Sequence, residues 1–428
     1  MTTSTYFYTL DNGLTVHLKE IYTAPIISTW VWYHVGSRNE YPGITGISHW
    51  VEHMQFKGTD KFPAGALDRE ISRVGGLWNA MTYLDWTTYY DTLPAHLFEI
   101  GLASEADRMV NSLFDPKEVD LERNVVISER EGNENQPLFL LGEAIQAEAF
   151  THHPYRHEVI GLMEDLQTIT RDDLFNHYRQ YYQPGNTVLA IAGDFEIKTM
   201  MDKIDFYYGS LPKGKSNSYQ TNPEPWSEAE KQVTVSGPDP TSYVQIAYHA
   251  PKASDPDFFL LSVLDSVLTG PSSLNMFGSG STSNKTSRLY RALVEGEISV
   301  SCVGSLQATL DPYLYSIYLT VHPEHTPEDV LQAVDQELDR VLNTPISQAE
   351  IDRAIKQARA LFAYSSENIT NQAFWLGYTE MFASYDWFEH YVDHLCQVTP
   401  EQLLAAARKY LAPQNRVVGF YLPEESQQ

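Results

Sequence analysis

Two kinds of apolar pattern alternate along the chain. Short runs such as "IISTWVWYHV" from Ile26 and "YVQIAYHA" from Tyr243 are dense in β-branched and aromatic residues and read as strands. Longer stretches such as "EIDRAIKQARALFAYSS" from Glu350 repeat apolar residues at three- and four-residue spacing and read as amphipathic helices. Strict β–α–β alternation is missing. The pattern therefore predicts an α+β fold, with helices layered on mainly antiparallel sheets.

The same order of elements occurs twice. "ITRDDLFNHYRQYYQPGNTVL" from Ile169 aligns without a gap on "VTPEQLLAAARKYLAPQNRVV" from Val398. Thr170 then pairs with Thr399, Leu174 with Leu403, Tyr181 with Tyr410, Pro184 with Pro413 and Asn186 with Asn415. Each copy predicts a capped helix, a Pro/Asn turn and an apolar strand. A weaker match sets "YHVGSRNE" from Tyr33 against "YHAPKASD" from Tyr248, so the chain is expected to hold two homologous domains. Between them, "LPKGKSNSYQTNPEPWSEAE" from Leu211 has neither period and reads as a linker. The expected domains are 1–212 and 229–428, joined by 213–228.

Composition narrows the function classes. With 428 residues, 43% of them hydrophobic, the chain can bury more than one core. Twenty-nine basic against 56 acidic side chains give a formal charge of −27, which disfavours nucleic acid and anionic membranes as partners. No run is long and apolar enough to span a bilayer, and the first residues lack the marks of a secretory or transit leader. Two cysteines, Cys302 and Cys396, cannot build a disulfide framework and are expected as free buried thiols, which points to a cytoplasmic location.

The chemistry concentrates in "GISHWVEHMQFKGT" from Gly46. Ser48 suits an N-cap, and the residues after it have helical period. On a helix His49 and His53, four apart, stand one turn above each other and can address one ion, while Glu52 lies on a neighbouring face. Zinc takes such ligands, and a catalytic zinc usually has three from the protein. The nearest source of a third is "DPKEVDLERNVVISEREGN" from Asp115, where Pro116 can open a helix carrying Glu122 and Glu129 two turns apart. If Glu129 is that ligand, Glu122 can orient a histidine through its free N–H. An amphipathic helix that carries two imidazoles without a metal is the alternative.

"HWVEH" is the inverted form of a zinc-peptidase motif, H-x-x-E-H. With "GGLWNAMTYLDWTTYY" from Gly75, "LERNVVISER" from Leu121, "HPYRHEVIG" from His153 and "SRLYRAL" from Ser287, it resembles the pitrilysin or insulinase-type zinc peptidases, especially bacterial relatives of mitochondrial processing peptidase. The resemblance implies that His49, His53 and Glu129 bind Zn2+, that Glu52 is the general base, and that Glu122 supports them. It also implies a zinc endopeptidase whose Asn79, Ala80 and Thr82 pair with an extended peptide substrate. A plain core strand is the alternative for Thr82.

The second half departs from that pattern. Extending the Tyr33–Tyr248 register puts Leu264, Val267 and Leu268 opposite His49, Glu52 and His53, so this half is expected to hold no zinc. An arginine and a tyrosine that help substrate and oxyanion in one-chain members of the family fall on Val294 and Ser301, which cannot do that work. The resemblance therefore implies a heterodimer with a related zinc-free subunit that supplies them, a homodimer being the alternative. A non-catalytic assembly or peptide-capture subunit is the rival function. "GPSSLNMFGSGSTSNKTS" from Gly270 is positioned like the family's glycine-rich loop, or is a flexible linker. His152, His153 and His157 are expected to be structural. The aromatic residues of "AFWLGYTEMFASYDWFEHY" from Ala373 are expected in the core of the last domain.

Overall fold

The computed structural model describes residues 4–215, 221–225, 229–274 and 284–424. Among these, the expected α+β architecture is present as two sheets carrying helices. The first sheet is built from β1 (Thr5–Thr9), β2 (Thr15–Glu20), β3 (Ile26–Tyr33), β4 (Leu77–Thr82), β5 (Thr87–Pro94) and β6 (Thr187–Gly193), in the order β1-β2-β6-β3-β5-β4. The second contains β7 (Lys231–Gly237), β8 (Tyr243–Ala250), β9 (Ser299–Leu306), β10 (Tyr313–Val321) and β11 (Arg416–Pro423), in the order β7-β11-β8-β10-β9. Apart from β1 the two orders are the same. Each has one parallel pair, β2 with β6 and β7 with β11, in an otherwise antiparallel sheet.

The internal repeat is repeated atom by atom at its best-matched segment. Thr170 caps the Arg171–Tyr181 helix by accepting the Asp173 amide at 3.2 Å, and Thr399 caps Pro400–Tyr410 by accepting the Gln402 amide at 3.3 Å. Each helix then stops at a Pro-led turn. The following asparagine is buried and donates back to the end of its helix, Asn186 to Tyr181 O at 3.0 Å and Asn415 to Tyr410 O at 2.9 Å. Those donations satisfy carbonyls that the helix ends would otherwise leave without a partner.

The compact units are discontinuous, unlike the contiguous domains expected from the sequence. One comprises Met1–Glu131, His157–Thr221 and Ser366–Tyr385; the other comprises Gly132–Arg156, Asn222–Ser365 and Asp386–Gln428. In the first unit, helix Ile369–Tyr378 covers the face of the sheet that carries Trp30 and Trp32, with Phe374 edge-on to both rings at 5.3 and 5.5 Å. A Cβ on Gly377 would meet Trp32 at 2.2 Å, so glycine is what allows this approach. Phe374, Trp375 and Tyr378 thus belong to the core of the first unit and not to that of the last domain. Helix Pro137–Ala149 likewise lies on the second sheet, where a Cβ on Gly419 would meet Leu141 and Ile145 at 2.7 Å. Helical period shows that a face is apolar but not which sheet receives it, hence the difference.

Cys302 is buried as expected, but Cys396, the last residue of helix Tyr385–Cys396, is exposed; both are free. Among the described residues no helix is long and apolar enough to cross a membrane.

Candidate metal centre

The motif helix spans Ile47–Met54 and buries Ile47, Trp50, Val51 and Met54, which anchors one face and leaves His49 and His53 on another. Its N-terminus is not capped by Ser48. Glu40, buried from a preceding loop, accepts the Gly46 amide at 2.8 Å and the Ser48 amide at 2.9 Å. Gly46 precedes the helix at φ +86°, and a Cβ there would meet the Ile160 carbonyl oxygen at 2.3 Å. The Ser48 hydroxyl instead donates to Gly36 O at 3.1 Å and lies 3.2 Å from His177 Nε2.

Helix Pro116–Glu134 begins at the expected proline and brings Glu122 and Glu129 to the two histidines. Ligand atoms of His49, His53 and Glu129 lie within 4.8 Å of one another, and among the described residues this is the group that could hold a metal. Glu129 Oε2 stands 3.8 Å from His49 Nε2 and 3.6 Å from His53 Nε2. Ligands about 2.0–2.2 Å from a tetrahedral zinc are separated by roughly 3.3–3.6 Å, so small side-chain adjustments bring these atoms to that spacing. Glu122 Oε1 accepts from His53 Nδ1 at 2.8 Å, which leaves Nε2 as the free ligand nitrogen, and Lys57 pairs with the other oxygen of the same carboxylate.

Burial and neighbours tune each group. Burial, then the neighbouring His53, pulls His49 down to about 3, which keeps its imidazole neutral, as a ligand must be. Burial would lower His53 too, but the hydrogen bond it donates to Glu122 and the surrounding carboxylates outweigh it and its pKa is raised. Glu122 is itself held below its usual value, because the His53 and Lys57 contacts overcome its desolvation. Burial raises Glu52 to about 7, a value suited to a general base.

Glu52 has a partner that sequence spacing alone could not reveal. The Thr82 hydroxyl donates to Glu52 Oε2 at 2.6 Å, and both residues are buried. Thr87, whose hydroxyl lies 3.2 Å from that of Thr82, donates to Val35 O at 2.9 Å. With the Thr87 hydrogen committed, Thr82 is left to serve the carboxylate. Its hydroxyl is thus engaged by Glu52, whereas the peptide pairing expected of Thr82 is a main-chain one.

Asn79 and Ala80 belong to the same expectation. They lie on β4, which among the described residues is an edge strand hydrogen-bonded to β5, with Asn79 exposed and its Oδ1 accepting the Ala80 amide at 2.9 Å. An edge strand offers main-chain donors and acceptors to an extended chain.

Two family models cover the chain: "Insulinase (Peptidase family M16)" over residues 15–161, and "Peptidase M16 inactive domain" over residues 168–358. The chain belongs to the M16 peptidase family. Its M16 relatives include an uncharacterised zinc protease of Mycobacterium leprae, 28% identical over 94% of this chain and 88% of that one. Another is a probable mitochondrial-processing peptidase subunit beta of Arabidopsis thaliana, 28% identical over 82% of this chain and 66% of that protein. The crystal structure of a protease from Helicobacter pylori superposes with a TM-score of 0.90 at 25% identity, covering 98% of this chain and all of that one.

The inactive-domain model, over residues 168–358, takes in the segment of the second half that aligns with the motif helix. There Leu264, Val267 and Leu268 are buried core residues of helix Asp257–Leu268. Val294 ends the π-helix Tyr290–Val294, and the Ser301 hydroxyl is 2.8 Å from that of Thr320 on the neighbouring strand. Arg288 is engaged by Glu350 at 2.8 Å. Residues 275–283 of the glycine-rich stretch lie outside the described residues. Of the histidines expected to be structural, His153 accepts the Tyr155 amide at 3.1 Å and donates to Asp311 at 3.1 Å, and His157 contacts the Glu158 carbonyl.

Proposed function

We propose that this chain is the metal-bearing subunit of a zinc-dependent endopeptidase that cleaves extended peptides, paired with a related chain. The convergence of His49, His53 and Glu129, with the Glu52 carboxylate on the same short helix, carries the proposal. Zinc bound there would supply Lewis acidity toward water and a peptide carbonyl.

The chain's own residues account for the rest. A peptide adds to the open edge of β4 by main-chain hydrogen bonds at Asn79 and Ala80, which brings one of its carbonyls beside the motif helix. Glu52 takes a proton from the attacking water and delivers it to the departing amine. Thr82 holds one carboxylate oxygen, leaving the other without a protein donor among the described residues. Glu122 keeps His53 in the tautomer and orientation that present Nε2.

Neither Val294 nor Ser301 offers a strong donor to a developing oxyanion. The loss of one such donor costs about 10²–10³ in rate, and the partner chain is proposed to supply the Arg and Tyr. The same observation favours a second reading, a peptide-capture subunit that binds zinc but turns over slowly. Metal content together with cleavage of a quenched fluorescent peptide, with and without a candidate partner, separates the two. Zinc with partner-stimulated cleavage is expected. Zinc without cleavage in either case supports capture, and wild-type protein that binds no zinc refutes both zinc-based readings.

A further inference from the structure

The two helices that carry the candidate metal ligands are far apart in sequence, and zinc ligands tolerate departures of only about 0.2 Å from their distances, so the docking of helix Pro116–Glu134 on the motif helix has to be fixed closely. Glu122 joins the two at one point, through an imidazole that can turn about its own bonds. The next residue makes a broader contact. Arg123, half-buried, lays its guanidinium over the Trp50 ring of the motif helix, 4.6 Å from the ring centroid. Its Nη1 donates to Leu166 O at 2.6 Å and its Nη2 to Ile169 O at 2.8 Å, both carbonyls at the C-terminal end of helix Met163–Thr168. None of these partners is a carboxylate, so the shape of the planar fork counts here as much as its charge.

Helix Met163–Thr168 is in turn tied to the entrance of the motif helix. Its buried Asp165 accepts the Gly43 amide at 3.1 Å, the Thr45 amide at 3.0 Å and the Thr45 hydroxyl at 2.6 Å. A Cβ on Gly46 would meet the Leu166 side chain at 3.0 Å, so this short helix also touches the motif helix where it starts. The histidine pair and the Glu129 helix are thus held to one common element, and Arg123 is a side chain that touches all three. We infer that Arg123 is a positioning residue that sets the distance between Glu129 and the histidine pair. Glu129 lies six residues further along the same helix, a rise of about 9 Å, so a roll or slide at Arg123 is carried to its carboxylate. Trp50 is fully buried and close-packed, which gives the guanidinium a fixed surface to rest on. The inference rests on the metal-binding part of the proposed function and is tested without turnover.

The test is a double-mutant cycle on zinc affinity, measured by chelator competition on the metal-stripped full chain for wild type, Arg123→Met, Glu129→Ala and the double variant. Arg123→Met is expected to weaken zinc binding about 10–100-fold when Glu129 is present, as loss of an orienting contact does. In the Glu129→Ala background the same change is expected to cost little, because the group it positions is gone. An equal loss in both backgrounds is what uncoupled sites give, and it overturns the role. Cobalt(II) bound in place of zinc supplies a second reading: the visible spectrum of Arg123→Met is expected to move toward that of Glu129→Ala. A variant that melts earlier but keeps the zinc affinity and cobalt spectrum of wild type shows a merely structural contact and also overturns the role. Arg123→Lys keeps the charge and the stem but not the fork, and it serves should Arg123→Met fail to fold; it is expected to lose zinc affinity severalfold, and wild-type affinity there refutes the grip. Wild-type protein that binds no zinc refutes the metal reading and this inference with it, whereas zinc in the wild type with unaltered binding in Arg123→Met refutes the positioning role alone.

Discussion

Glu122 is not among the proposed metal ligands, yet its replacement gives a sharp measurement. In Glu122→Ala, His53 Nδ1 loses an acceptor at 2.8 Å, so the ring is free to rotate and to move its proton to the nitrogen that the metal needs. The Lys57 ammonium, which pairs with the same carboxylate, is left uncompensated near a cation site. Loss of such an orienting partner weakens metal binding by about 10–100-fold, or roughly 1.4–2.7 kcal/mol. Both effects act in Glu122→Ala, so the upper end, ~100-fold, is expected there; Glu122→Gln keeps a carbonyl acceptor but not the charge, and ~10-fold is expected. Zinc affinity is read by competition with a chromophoric chelator on metal-stripped protein, with thermal unfolding of the stripped variants as a control for folding. Wild-type zinc affinity in Glu122→Ala would refute the orienting role. A larger loss in Glu122→Gln than in Glu122→Ala would refute the ranking of acceptor over charge.

Glu52→Gln should retain stoichiometric zinc and lose peptide cleavage by several orders of magnitude; measurable turnover would contradict its role as the base. Thr82→Val should lower kcat about tenfold with little change in KM, because it removes one hydrogen bond to Glu52, and Thr82→Ser should restore most of the loss. Burial pulls His177 down to about 3 from an ordinary 6.5, so it stays neutral in the fold while the unfolded chain takes up a proton. Its share of stability is therefore complete above about 6.5 and is lost as the pH falls toward 3. Denaturant titrations should show a shallower acid-side decline for His177→Asn than for wild type.

The two central strands, their helices and the duplicated arrangement were legible because they depend on local signals. A Thr cap, a Pro turn and a buried Asn recur at the same spacing in both copies and do the same work in each. The metal group was legible because two of its members share a helical turn and the third sits in a helix whose start a proline marks. Glu40 and Thr82 were not. Glu40 caps the motif helix from a separate loop, and Thr82 reaches Glu52 only because β4 packs beside that helix. Ser48 has the right chemistry for a cap, but a buried carboxylate already holds the helix amides. Such pairings follow from tertiary placement, to which hydrophobic period is blind.

The assignment of Ser366–Tyr385 to the first compact unit bears on how the gene can change. The repeat that lacks ligands is not dispensable ballast. Deleting it would strip Phe374 and Gly377 from Trp30 and Trp32 and open to water the sheet on which the histidine pair is mounted. A truncation that looks harmless on paper would thus disable the half it was meant to leave intact, so the two copies can diverge in chemistry but must be inherited together.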